Sequence, residues 1–280
     1  MRLRFTKMQG AGNDYIYIDC MNDDIALSPE QIRALSLRRF GVGADGVIFI
    51  RKSAVADGFM DMYNADGTPG AMCGNGVRCV GKYLFDNGRA KSAQVTVETR
   101  SGVKTLTMDV GTDGRAAGAD VDMGEARLAC ADVPVLWDGD SLDVPVPIGG
   151  TTYHACCASM GNPHAVLFVD DPDAVDLPAL GPQFERHPLF PDRVNTEFVS
   201  AVSPTQLKMR VWERGAGETL ACGTGACAAA VAAVRRGLCA YDTPITVVLR
   251  GGALEITYHK NGRVTMRGEA VAVYSGEIEL

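Results

Sequence analysis

Two stretches decide the fold: Met72-Cys73-Gly74-Asn75-Gly76 and Ala221-Cys222-Gly223-Thr224-Gly225. Each puts a cysteine and then Gly-x-Gly directly before a segment that reads as a helix. Cys73 and Cys222 stand 149 positions apart, and the same offset lays Gly12-Asn13 on Gly161-Asn162, Phe49 on Phe198, Met60 on Met209, Gly88 on Gly237 and Gly102 on Gly251. The chain is an internal duplication with one cysteine at the matching place in each copy.

Outward from Cys73, the residues Val77, Val80 and Leu84 give the following helix one apolar stripe, and Gly88 stops it. The helix after Cys222 has no charge from Ala226 to Val234, and Arg235-Arg236 lie at its negative end. A helix apolar on every face must be buried on every face, so strands are expected to wrap it. Ser28-Pro29-Glu30-Gln31 opens an earlier helix through a capping box, followed by apolar Ile32, Leu35 and Leu37 and ended by Gly41.

Strands are expected at 15–18, 47–50, 59–63 (delivering Asn64), 95–99 and 105–110. In the second copy they are expected at 165–169, 196–199, 207–212 (delivering Glu213-Arg214), 245–249, and 254–258 with 264–266 around an Asn261-Gly262 hairpin turn. Residues 270–274 lie beyond the repeat and form a strand that could return to the first domain. The expected fold class is α+β with two pseudo-symmetric domains, residues 1–118 with 269–280, and 119–268.

At 280 residues the chain is long for one core and sufficient for two. A net charge of −7 and a pI near 5.2 provide no basic face for a phosphate backbone, which argues against nucleic acid as a partner. Nine cysteines, irregularly spaced, do not form a secreted disulfide framework and read as reduced thiols. The opening Met1-Arg2-Leu3-Arg4-Phe5 has no signal-like apolar run, and no stretch of about 20 apolar residues could span a bilayer. A cytoplasmic protein without a membrane partner is expected.

A thiol at a helix N-terminus faces unpaired backbone N–H groups and the positive end of the helix dipole, which lower its pKa toward neutrality. The same N–H groups cradle a carboxylate, and flanking glycines let it approach. If the halves face each other, two such thiols on opposite sides of one α-carbon suit racemisation: one removes a proton and the other returns one. The other cysteines (Cys20, Cys79, Cys130, Cys156, Cys157, Cys227 and Cys239) read as small buried hydrophobes, and no spacing suggests a structural zinc site.

The residues also resemble a known family. Gly10-Ala11-Gly12-Asn13-Asp14, Asn64-Ala65-Asp66-Gly67, Cys73-Gly74-Asn75-Gly76-Val77-Arg78-Cys79, Gly161-Asn162-Pro163-His164, Glu213-Arg214-Gly215-Ala216-Gly217-Glu218-Thr219 and Ala221-Cys222-Gly223-Thr224-Gly225-Ala226 look like the signatures of the diaminopimelate epimerases, along the whole chain. The resemblance implies two domains, each a barrel-like mixed sheet around a central helix, with the active site in the cleft between them. It further implies conversion of LL- to meso-2,6-diaminoheptanedioate without pyridoxal phosphate or metal, on the route to lysine and peptidoglycan, by a homodimer.

Carried over by motif, Cys73 and Cys222 are the acid/base thiols, and Gly74, Asn75, Gly223 and Thr224 cradle the reacting carboxylate. Asn13, Asn64, Asn162, Asn195 and Arg214 match positions that hold the substrate, notably its distal end. Glu213 lies near the substrate ammonium and, with His164, tunes the thiols. One position departs: many members have Gln where this chain has Gly46. Two other readings stay open from the sequence, a racemase for another amino acid such as proline and a non-catalytic carboxylate-binding or redox-sensing protein.

Overall fold

A computed structural model describes residues 2–70 and 72–280. In chain order its strands and helices begin β1 (Arg2–Gly10), β2 (Asn13–Cys20), α1 (Pro29–Ser36), β3 (Gly46–Arg51), β4 (Gly58–Asn64), α2 (Gly74–Asp86), β5 (Gln94–Thr99), β6 (Gly102–Val110) and β7 (Ala116–Glu125). The chain continues through β8 (Val144–Ile148), β9 (Thr151–Ser159), β10 (Pro163–Phe168), α3 (Leu177–Glu185), β11 (Asn195–Ser203), β12 (Gln206–Glu213) and β13 (Gly217–Glu218). It ends with α4 (Gly223–Arg235), β14 (Ile245–Leu249), β15 (Gly252–Tyr258), β16 (Arg263–Glu269) and β17 (Val271–Glu279). Two compact units result, Met1–Asp122 with Arg267–Leu280, and Met123–Met266.

In the first unit the strands pair in the order β17-β1-β2-β3-β4-β5-β6-β7, parallel at β2–β3 and β4–β5 and antiparallel elsewhere. β17 joins β1 with Phe5 opposite Gly276, so the strand beyond the repeat completes the first unit. α2 packs on β1, β2, β4, β5 and β6, burying Val77, Val80 and Leu84. Each such side chain contributes about 1.5–3 kcal/mol on leaving water.

α1 packs on β3, and Ile32 and Leu35 meet Leu3, Phe5, Ile16, Ile18, Val47 and Phe49 in a separate core. Its capping box is present, with Gln31 N donating to Ser28 Oγ and Ser28 N donating to Gln31 Oε1. The helix ends at Ser36, short of the expected stop. Leu37 is exposed, and Gly41 closes the turn that follows.

The second unit repeats this plan: β10 parallel to β11, β11 antiparallel to β12, β12 parallel to β14, and β14 antiparallel to β15, with β9 beside β10 as β1 is beside β2, and β8 beside β9 as β17 is beside β1. The register repeats as well. Ile16 faces Val47 in the first unit and Ala165 faces Thr196 in the second; Phe49 faces Asp61, and Phe198 faces Arg210. α4 packs on β9, β10, β11, β12, β14 and β15, and every residue from Ala226 to Val234 is buried.

The offset changes once. Val95 faces Leu106, while Ile245 faces Ile256, a shift of 150. Gly102 therefore matches Gly252, not Gly251, because one residue has been added between Gly237 and Ile245. A helix not expected from the sequence, α3, lies where the 149 offset places α1. α3 is capped by Asp176 and carries Pro182 inside it, a residue that reads as a breaker but forfeits only one intrahelical bond in so short a helix. No helix among the described residues is long and apolar enough to cross a membrane.

Candidate active site: two half-sites built on one plan

Cys73 is the N-cap of α2, with φ −129° and ψ 121°, and Cys222 is the N-cap of α4, with φ −122° and ψ 109°. Extended geometry at this position turns the side chain back over the first turn, so each sulfur accepts an N–H from three residues ahead. Gly76 N lies 3.4 Å from Cys73 Sγ, and Gly225 N lies 3.3 Å from Cys222 Sγ. The remaining first-turn N–H groups have no acceptor within the helix and point outward, as an anion cradle requires.

In the first unit the Cys73 thiol donates to Asn13 Oδ1 at 3.0 Å, and Asn13 Nδ2 donates to Asp45 Oδ2 at 2.8 Å. Asp45 also receives the Asp14 N–H, and Asp14 pairs with Lys7 and Arg38, each at 2.6 Å. Burial raises the Asp14 carboxyl, yet the hydrogen bonds from Arg38 and Lys7 outweigh it and hold the group below the usual carboxylate range. Asn75 is buried, and its Oδ1 accepts from Arg78 Nη2 at 2.8 Å; Arg78 is fully buried and also donates to Gly74 O and Glu269 O. With its Oδ1 engaged, Asn75 can offer a carboxylate its backbone N–H and its amide NH₂. Asn64 ends β4 with its amide on Thr68 Oγ1 at 3.0 Å.

In the second unit Cys222 Sγ lies 3.5 Å from Thr224 Oγ1, which accepts from Asn162 Nδ2 at 3.3 Å. Asn162 Oδ1 meets His164 Nε2 at 3.0 Å. Glu213 accepts the Thr219 hydroxyl in a short bond; burial pushes its carboxyl up against the hydrogen bonds from Thr219 and Cys222. Asn195, buried, donates to Pro163 O and accepts from Arg214 N, both at 2.9 Å, while the exposed Arg214 guanidinium donates to Asp192 O. Asn195 therefore fixes the backbone that carries Arg214.

The expectation of a lowered thiol pKa does not hold at Cys222. The residue is 5 % exposed, and desolvation, with the charges of Glu213 and Glu197 adding to it, pushes its thiol well above the ordinary value despite Thr224 and the Gly225 N–H. Burial outweighs the helix terminus. The supernumerary cysteines Cys20, Cys79, Cys156, Cys157, Cys227 and Cys239 are buried and Cys130 half-buried; burial pushes Cys79 up to about 11.

Sequence reading missed two neighbours of the thiols. Tyr15 is buried close to Asn13 and Cys73, and Glu197 is fully buried beside His164, with Oε1 2.7 Å from Nδ1. At the duplication offset Tyr15 matches His164 and Ile48 matches Glu197. The signal for Glu197 is a carboxylate within the expected strand 196–199, next to apolar Phe198 and Val199. A surface cavity of about 710 Å³ in the first unit, lined by residues such as Arg2, Phe5, Asp19 and Tyr83, contains none of the sequence-predicted site residues.

At Gly46 an added Cβ would collide with the carbonyl oxygen of Tyr63 and come within 2.9 Å of Tyr15 Cε1. The space a longer residue would enter is filled by Tyr15 and the β4 backbone, which explains why glycine stands there.

The family model described as diaminopimelate epimerase matches residues 5–129 and 156–273. A diaminopimelate epimerase of Leptospira biflexa is 51% identical over 282 residues, covering all of both chains, and one of Desulfovibrio desulfuricans is 51% identical over 283, covering 98% of each. In structure the chain resembles a hydroxyproline epimerase from Agrobacterium vitis, with TM-score 0.70 and 14% identity over all of this chain and 93% of that one, a likeness of fold. With a thiol capping each of two repeated helices, and relatives this close along its full length, the chain belongs to the diaminopimelate epimerase family.

Proposed function

We propose that this protein interconverts LL- and meso-2,6-diaminoheptanedioate, serving lysine biosynthesis, by a two-base mechanism without a pyridoxal cofactor. The observation that carries the reading is the pair of cysteines capping Gly-x-Gly helices at matched positions in a chain of this family. One sulfur, as thiolate, takes the α-proton and becomes a thiol; the other thiol gives its proton to the opposite face and becomes the thiolate. The reading requires both sulfurs to reach one α-carbon. Cys222, with its neutral form favoured by burial, rests in the donating state.

Negative charge that builds on the carboxylate as the proton leaves is met by the first-turn N–H groups of Gly74, Asn75, Gly223 and Thr224. One oriented donor of this kind is worth about 3 kcal/mol. Asn13, Asn64, Asn162 and Arg214 hold the distal amino-acid end, Asn195 acts by fixing Arg214, and Glu213 and His164 set the surroundings of Cys222. The protein is taken to work as a cytoplasmic homodimer, a reading supported only by family membership and tested by light scattering in solution and cell fractionation.

The deciding experiment is incubation of the LL isomer in heavy water with no added cofactor. Meso product with solvent deuterium at one α-carbon is expected. Absence of both product and exchange would overturn the reading.

A further inference from the structure

Four hydrogen bonds in the second unit form one chain from a fully buried acid to the sulfur. Glu197 Oε1 meets His164 Nδ1 at 2.7 Å, His164 Nε2 meets Asn162 Oδ1 at 3.0 Å, Asn162 Nδ2 donates to Thr224 Oγ1 at 3.3 Å, and Thr224 Oγ1 lies 3.5 Å from Cys222 Sγ. His164 and Glu197 are both wholly buried, and Glu197 Oε2 has no hydrogen-bond partner. A buried carboxyl with one idle oxygen is costly unless its other oxygen is firmly engaged.

The directions along this chain are fixed by elimination. Asn162 gives its NH₂ to Thr224, so its Oδ1 can only accept, and His164 Nε2 must carry a proton. The proton in the short Nδ1–Oε1 contact is then shared with Glu197, and the ring cannot turn without losing both bonds. Thr224 Oγ1, accepting from Asn162, is left with its own proton to donate, and the sulfur of Cys222 lies within reach of it.

The duplication shows what is special here. The position matching Glu197 is Ile48 and that matching His164 is Tyr15, so the first unit has no such pair beneath its thiol. In the second unit a Cβ on Gly225 would sit 2.7 Å from Glu197 Oε1 and 3.3 Å from Cys222 Sγ. The last residue of Cys-Gly-x-Gly is glycine because acid and sulfur both press against it.

We propose that Glu197 is a positioning residue that holds His164 with Nε2 protonated toward Asn162, so that the chain ends in a hydroxyl proton donated by Thr224 to Cys222. When Cys222 passes from thiol to thiolate in the cycle, that hydroxyl steadies the anion without further rearrangement. The proposal deepens the epimerase reading and rests on it for its kinetic part only.

The test combines ¹⁵N-histidine NMR of the unliganded protein with kinetics of Glu197→Gln. In the parent protein the His164 Nε2 resonance should be that of a protonated nitrogen, and the Nδ1 to Oε1 proton should appear far downfield. In Glu197→Gln the downfield signal should vanish and kcat should fall on the order of tenfold, the scale of one lost hydrogen bond to a charged group, with KM nearly unchanged.

An unprotonated Nε2 in the parent, a variant with full kcat, or a loss of kcat with His164 signals unaltered would each overturn the proposal. Should Glu197→Gln fail to fold, the parent spectrum still decides. A parent that does not turn over diaminopimelate would sink the functional reading and leave the NMR result standing.

Discussion

The Cys73 thiol donates to Asn13 Oδ1 at 3.0 Å while accepting from Gly76 N at 3.4 Å. A carbonyl oxygen can accept only from the protonated sulfur, so this bond favours the thiol, whereas the Gly76 N–H favours the thiolate. Asn13→Ala removes the first and keeps the second. Alkylation of Cys73 by iodoacetamide at neutral pH is expected to quicken, by up to about tenfold for the loss of one hydrogen bond, while turnover falls on the proposed role of the amide in holding substrate. Peptide mapping after timed alkylation checks the first part; unchanged or slower labelling would refute it.

Cys73→Ala and Cys222→Ala should each lower epimerisation by about 10³-fold or more, the scale of a lost general acid or base. Neither sulfur is a large part of the core, so circular dichroism and the urea midpoint should stay close to the parent. Near-normal turnover in either variant would exclude the two-base mechanism.

Burial and the flanking Glu213 and Glu197 raise the Cys222 thiol. In the unliganded protein its alkylation should therefore stay negligible at the pH of an ordinary thiol, about 8.5, and rise only well above it. The sign for stability follows from linkage: with the folded value above the unfolded one, the contribution is intact below the unfolded value and is lost as pH climbs through the folded value. Replacing Cys222 by Ala should flatten the alkaline fall in urea midpoint, and an unchanged slope would show that the thiol ionises in the fold as readily as in the unfolded chain.

Much of this was legible in the sequence because the fold is written twice. The apolar periodicity around Cys73 predicted α2, the uncharged run after Cys222 predicted a helix buried on all sides, and the offset predicted which strand ends carry Asn13, Asn64, Asn162 and Glu213. Less legible were β8, and β9 and the helix α3, which the 149 offset lays on β1 and α1 but which share little sequence with them. The raised Cys222 thiol was also hidden, since helix position is local but desolvation is set by β11, which brings Glu197 beneath the sulfur. Glycine at position 46 read as a missing contact; packing explains it.

At that position Gly46→Ala should destabilise the protein by about 1–3 kcal/mol, the usual cost of overpacking, because the obstructing atom is the Tyr63 carbonyl oxygen in β4 and cannot swing aside. Urea unfolding measures this. A neutral result would mean that β3 and β4 separate freely at Asn64.

Asn195 separates a binding role from a supporting one. Its Nδ2 satisfies Pro163 O and its Oδ1 satisfies Arg214 N, and the side chain is 3 % exposed, so neither polar end is left over for a substrate in this state. Asn195→Ala strands a carbonyl and an N–H, and an unmade buried partner costs about 1–3 kcal/mol. Asn195→Asp keeps the acceptor for Arg214 but turns a carboxylate oxygen toward Pro163 O, a repulsion without compensation.

Both variants should unfold at lower urea, and KM should rise more than kcat falls, since the guanidinium of Arg214 would lose its registered backbone. By contrast Asn64→Ala, whose amide touches only the hydroxyl of Thr68 in a loop, should raise KM with little change in stability. If Asn195→Ala instead raises KM at full stability, Asn195 contacts the substrate directly and must first release Pro163 and Arg214 to do so.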